Sequence, residues 1–134
     1  VRDWLHVDDH ARGLLAGAQR GAPGATYLMG GAHELPNRVL LDQLLACLNE
    51  VAPGARDYRD LITSVADRPG HDRRYAVDSR RAEKELGWHR EVAFADGLMA
   101  TVRWYVDNQK WVRSVTERYD LGRLGLGVPA GERP

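Results

Sequence analysis

The chain is poor in residues on which many functions depend. It has one cysteine, Cys47, in 134 residues, so no disulfide can form within it. The neighbours of Cys47 are apolar, which predicts a buried thiol acting as a small hydrophobe, in keeping with a cytoplasmic, reducing setting. No apolar run approaches the ~20 residues of a membrane-spanning helix, and no signal peptide is recognisable at the start. Charge of one sign is lacking too. The 19 Lys and Arg balance the 19 Asp and Glu, which argues against a general nucleic-acid binder dependent on a positive field. The only lysines are Lys84 and Lys110. Neither stands four residues after a tyrosine, so there is no Tyr-x-x-x-Lys pair. No glycine fingerprint opens the chain, and no Ser–His–Asp arrangement stands out. Spacing therefore assigns no catalytic residue and no cofactor-binding residue. The start at Val1, straight into an apolar run, reads as a truncated or processed terminus.

What is present alternates between two periods. Val1 to Val7, with Val1, Trp4, Leu5 and Val7, reads as a short strand. Asp8 or Asp9 caps a predicted helix from about 9 to 20, with Ala11, Leu14, Leu15 and Ala18 at helical spacing. A Gly-Pro loop follows, then an apolar strand from Thr26 to Met29 ending in Gly30-Gly31. Leu40, Leu41, Leu44, Leu45, Leu48 and Val51 form the clearest helical stripe, with Asn37 at the N-cap position and Pro53-Gly54 at the end. Leu61 to Val65 reads as a strand, and Tyr75 to Val77 as a short extended segment. Asp78 caps a short helix that ends at Gly87. The last helix runs from Phe94 to about Trp111, with Phe94, Leu98, Val102, Tyr105 and Val106 on one side. This order predicts an α/β fold.

Several stretches are candidates for chemistry. Asp67-Arg68-Pro69-Gly70-His71-Asp72-Arg73-Arg74 holds four potentially cationic groups in a loop shaped by Pro69 and Gly70. Arginine forks match phosphate oxygens, so an anion site fits, a diphosphate above all. A solvated loop balanced by Asp67 and Asp72 fits the same residues. Arg2 could clamp a phosphate from its strand, sharing a face with Trp4 and opposing Asp3, or simply form an ion pair at a strand edge. Asn37 could cap its helix or meet a phosphate at the helix N-terminus. His6 and His10 have the spacing of metal ligands, but one is read on a strand and the other on a helix, so no metal site is expected. Gly122-Arg123-Leu124-Gly125-Leu126-Gly127 looks like a dinucleotide fingerprint but lacks the preceding strand and following helix.

Arg2-Asp3-Trp4-Leu5-His6-Val7-Asp8-Asp9-His10-Ala11-Arg12 resembles a segment shared by extended short-chain dehydrogenases that act on nucleotide sugars. Ala66 to Tyr75 resembles the corresponding loop of the dTDP-glucose 4,6-dehydratase family. Thr26-Tyr27 with Gly30-Gly31, Glu85-Leu86-Gly87-Trp88 and Thr101-Val102-Arg103-Trp104-Tyr105 follow in the family's order. The resemblance implies the C-terminal, substrate-binding part of such an enzyme, with remnants of a Rossmann-type NAD domain. The implied division is 1–32 for the junction with the NAD domain, 33–112 for the substrate domain and 113–134 for a tail.

The family removes water from dTDP-glucose to give dTDP-4-keto-6-deoxyglucose with tightly bound NAD. The resemblance places its catalytic and NAD-binding motifs upstream of the part present, so this chain alone is expected to be inactive. By the same resemblance, Arg2 and Asn37 contact the nucleotide diphosphate, Asp67, Arg68, Pro69, Gly70 and His71 enclose the nucleotide, and Tyr75 lines the cleft. The implied partners are dTDP-glucose, an N-terminal NAD domain and a second copy in a homodimer. It also implies that Leu14, Leu15, Tyr27 and Met29 lie exposed. The alternatives are an epimerase or decarboxylase of the same superfamily, a stand-alone nucleotide-binding module, or a helical adaptor.

Overall fold

Helix α1, Val7–Arg20, starts where the His6 imidazole accepts the amide of Asp8 at 3.3 Å. Asp8 and Asp9 in its first turn and Arg20 in its last complement the helix dipole. The computed structural model describes residues 1–67 and 69–117. Before α1 stands a two-residue strand, β1 (Arg2–Asp3), and after it β2 (Glu34–Leu35). They pair antiparallel, Arg2 opposite Leu35 and Asp3 opposite Glu34. The remaining helices are α2 (Asn37–Val51), α3 (Arg80–Leu86), α4 (Phe94–Asp107) and α5 (Gln109–Thr116), with a 3-10 turn at Tyr58–Leu61.

The described part is thus helix-rich α/β, with far less strand than the sequence predicts. The opening strand shrinks to two residues. Thr26–Met29 and residues 62–65 form no ladder. Their residue types suit a pleated surface, but a strand exists only with a neighbour to take its backbone bonds. Val1 does bond the end of the candidate loop and the residue after it: its amino group donates to the Arg73 carbonyl at 2.7 Å, and its carbonyl accepts from the Tyr75 amide at 3.1 Å.

α1 buries a face that its apolar stripe does not predict. Asp9, Gly13 and Ala16 point inward. Val7, Leu14 and Leu15 are 69%, 59% and 57% exposed, and Ala11 and Ala18 are exposed with them. The inward face meets Ala82, Leu86 and Trp88, with Leu5, Tyr27 and Met29 packed around them. Gly13 lets these groups close in, since a Cβ there would lie 2.2 Å from Met29 Sδ and 3.1 Å from Trp88 Nε1. The expectation that Leu14 and Leu15 are exposed holds. Tyr27 and Met29 instead turn inward and Leu28 outward.

Asp9 locks this joint. It is 1% exposed, and its carboxylate accepts the amides of Glu91 at 2.8 Å and Val92 at 3.2 Å and Arg12 Nη2 at 2.5 Å. Its carbonyl accepts Trp88 Nε1 at 2.8 Å. Burial pushes the Asp9 carboxyl up, but the two amides and Arg12 outweigh it and hold the group below its ordinary value.

α2 and α4 pack against each other. The leucine stripe of α2 faces inward as the periodicity predicts, with Leu45 buried. Cys47 is half-buried rather than enclosed. α3 ends at Gly87, whose φ of +60° favours glycine, and Asp78 accepts the Arg80 amide at its start, at 3.0 Å. Arg80 bonding holds the Asp78 carboxyl down at about 2.

The single helix expected from Phe94 to Trp111 is two helices. The break falls at Asn108, whose backbone leaves the helical region (φ −107°, ψ 38°) and whose Nδ2 donates to the Trp104 carbonyl at 2.8 Å. Val102 is buried on α4, whereas Tyr105, expected on the same inner side, is 49% exposed. No helix among the described residues is long and apolar enough to cross a membrane.

Candidate functional site

β1 sends its two side chains to different tasks. Asp3 accepts the amides of Gly31 and His33, each at 3.0 Å, and so fixes the approach to β2. Gly30 and Gly31 permit this closeness. A Cβ on Gly30 would lie 2.5 Å from Asp3 Oδ2, and one on Gly31 would lie 1.8 Å from the Trp4 carbonyl oxygen. Trp4 lies beyond the two-residue strand and does not share the surroundings of Arg2. It lines a cavity of about 310 Å³ with Leu5, His33, Leu40, Phe94 and Leu98.

Arg2 reaches the candidate loop. Its Nη2 lies 2.5 Å from His71 Nε2 and donates to the Asp72 carbonyl at 3.1 Å, and its Nη1 donates to the Val1 carbonyl at 2.8 Å. The guanidinium sits over the Tyr75 ring, 4.3 Å from the centroid. His71 Nδ1 is 2.7 Å from Asp67 Oδ1, and the Tyr75 hydroxyl donates to Asp72 Oδ2 at 2.5 Å. Pro69 and Gly70 make the turn between these groups, and Gly70 has a φ of +70°. Arg74 pairs with Glu34 of β2.

Arg2, Asp67, His71 and Tyr75 are therefore brought together. Arg68 lies outside the described residues, as do the glycines from Gly122 to Gly127 and most of the 113–134 tail. Asn37 departs from the expected cap. Pro36 occupies the N-cap, and Asn37 is the first helical residue, exposed and with no side-chain cap bond. In the chain it stands two residues past Leu35, the strand partner of Arg2.

Sequence reasoning missed Asp72, which reads as a mere counter-charge but accepts from both Arg2 and Tyr75. Its place beside His71 is the only available signal. It also missed the Asp9 joint, because a carboxylate in a helix's first turn normally reads as a dipole partner. His6 caps α1 instead of lying on a strand.

The described residues do not fit an NAD pyrophosphate. The Gly30-Gly31 turn is the passage to α2 that could cradle one, and its space is filled by Asp3 and the Trp4 backbone. The Arg2 cluster can do something else. It offers guanidinium and imidazole nitrogens at an aromatic edge, which is chemistry for holding an anion attached to a flat base or sugar.

A family model described as GDP-mannose 4,6 dehydratase matches residues 1–101. A probable dTDP-glucose 4,6-dehydratase of Sinorhizobium fredii is 46% identical over 127 residues, covering 94% of this chain and 36% of that protein. The dTDP-glucose 4,6-dehydratase of Neisseria meningitidis is 46% identical over 132 residues, 95% of this chain and 37% of that protein. Among solved structures, dTDP-glucose 4,6-dehydratase from Streptomyces venezuelae with NAD bound matches with a TM-score of 0.72 at 43% identity, over 81% of this chain and 32% of that one. The enzyme from Bacillus anthracis in complex with NAD matches with a TM-score of 0.68 at 35% identity, over the same 81% and 32%. The chain spans about a third of the length of these relatives.

Proposed function

Because this chain belongs to the GDP-mannose 4,6 dehydratase family, we propose that it is the sugar-nucleotide-binding part of a dTDP-glucose 4,6-dehydratase. The observation that carries this reading is the Arg2 guanidinium, held over Tyr75 and against His71 of the 67–75 loop. In the proposed complex Arg2 and His71 take the diphosphate. Asn37 reaches it from the start of α2, and Asp67, Arg68, Pro69 and Gly70 close the loop over the nucleotide. Tyr75 offers its ring to the cleft. Residues 33–112 form the substrate domain in this reading, and 1–32 its junction with an NAD domain.

NAD belongs to that other domain, since the residues here offer it no cradle. Conversion of dTDP-glucose to the 4-keto-6-deoxy sugar requires both parts, in a cytoplasmic homodimer. The exposed outer face of α1, with Val7, Leu14 and Leu15, supports docking of such a domain, since apolar patches of this kind mark interaction surfaces.

A second reading, a relative acting on another nucleotide sugar, is favoured by the description of the matching family model. Calorimetric titration with dTDP-glucose, UDP-glucose and GDP-mannose separates the two. The first should bind most tightly, and Arg2→Ala should weaken it about tenfold or more, the loss of a hydrogen bond to a charged group. Preference for another nucleotide moves the chain to the second reading. No binding by any of them overturns both.

A further inference from the structure

The contacts around His71 fix where its proton sits. A guanidinium carries donors and no acceptor. With Arg2 Nη2 2.5 Å from His71 Nε2, that nitrogen must present its lone pair. The ring proton is then on Nδ1, where it is donated to Asp67 Oδ1 at 2.7 Å. Among the described residues, the charged and titratable groups around the ring are few. Arg2 comes from β1. Asp67, Asp72 and Tyr75 come from the ring's own loop and its continuation. Arg74 beyond is neutralised by Glu34 of β2. Protonated His71 would turn an N–H toward the N–H of Arg2, so docked Arg2 and a charged imidazole exclude one another.

A diphosphate reverses that balance. Its oxygens accept from the Arg2 fork more strongly than the neutral imidazole and the Asp72 carbonyl do. Once Arg2 turns to the phosphate, His71 Nε2 is left beside an anion with no donor, while Asp67 still holds Nδ1–H. We propose that Asp67 is a positioning residue that keeps His71 as the neutral Nδ1–H tautomer while Arg2 is docked on it, so that binding of a sugar nucleotide's diphosphate draws one proton from solvent onto Nε2. The proton arrives from water, Nδ1–H stays on the Asp67 carboxylate, and Nε2–H donates to a phosphate oxygen. The site thereby gains a cation only when the anion is present. This inference rests on the binding reading above, and it deepens that reading.

The sign follows from linkage. A complex that holds one more proton than its parts becomes tighter as pH falls, by up to about tenfold per pH unit. The probe is dTDP-glucose, whose diphosphate is doubly esterified and does not titrate near neutrality. Calorimetry from pH 6.5 to 8, in pairs of buffers with different ionisation enthalpies, counts the protons. We expect uptake approaching one per site at the upper end. His71→Gln should abolish it, and Asp67→Ala, which removes the acceptor for Nδ1–H, should reduce it severely. Histidine nitrogen NMR of the unaltered chain before ligand is added should show His71 protonated on Nδ1 and bare on Nε2.

Binding without proton uptake overturns the inference and leaves the binding reading standing. So does an Nε2–H tautomer in the spectrum. Undiminished uptake in Asp67→Ala removes Asp67 from its role. Failure of the unaltered chain to bind overturns the reading of the previous subsection, and the proton coupling with it.

Discussion

Among the described residues, the polar cluster around Asp9 and the one around Arg2 draw on similar residue types and differ in their surroundings. Around Asp9, the carboxylate is 1% exposed and every bond serves the fold: two amides of the 91–92 segment, Arg12, and Trp88 through the Asp9 carbonyl. Around Arg2, the Asp67 side chain is 73% exposed and that of His71 27%, and the bonds run to loop groups that a ligand can displace. Burial separates the two. An enclosed ion loses its hydration and must be fully satisfied by fixed partners. A solvated one exchanges partners at little cost. The first cluster holds elements together, and the second keeps partners that it can exchange.

The sharpest way to break this comparison is Asp9→Ala. It leaves two amides unsatisfied and Arg12 with Glu91 alone, 3.4 Å away, and should cost about 3–5 kcal/mol in urea denaturation; a loss below about 1 kcal/mol would place Asp9 among the solvated carboxylates. The acid limb follows the same logic. The native Asp9 carboxyl sits below its usual 3.8, so its contribution is whole above that value and is lost as pH falls through the lower native one. Trp88→Phe, which keeps an aromatic ring and removes the donor to Asp9, should cost about 1 kcal/mol. Smallest is Asp67→Ala, which should change stability by less than about 0.5 kcal/mol, since its exposed carboxylate holds no buried element in place. A larger loss there would mean that the 67–75 loop is also a structural joint.

Legibility in the sequence followed the same division. Motif resemblance and residue type singled out the loop, and Arg2, Asp67, His71 and Tyr75 lie in contact there. Loop chemistry is local, and Pro69-Gly70 shapes it within a few residues. Asn37 was misplaced by one position because Pro36 takes the cap itself. Asp9 was hidden, because its partners Glu91 and Val92 lie more than eighty residues away in the chain. Asp72 was hidden for the opposite reason, since in a loop dense with charge no composition argument selects one carboxylate over its neighbour.

The sequence by itself determined α1, α2 and α3, their approximate ends and the α2 stripe, because apolar spacing, glycine at position 87 and proline at 53 act over one or two turns. It also determined the family through the order of its motifs. Only the tertiary structure decided which face of α1 turns inward. The leucine stripe is the larger apolar surface. Yet Trp88 and Met29 need the small residues Gly13 and Ala16 against them, and the Asp9 carboxylate must meet the 91–92 amides. Periodicity reports that a helix has an apolar face; which surface covers it depends on segments far away in the chain.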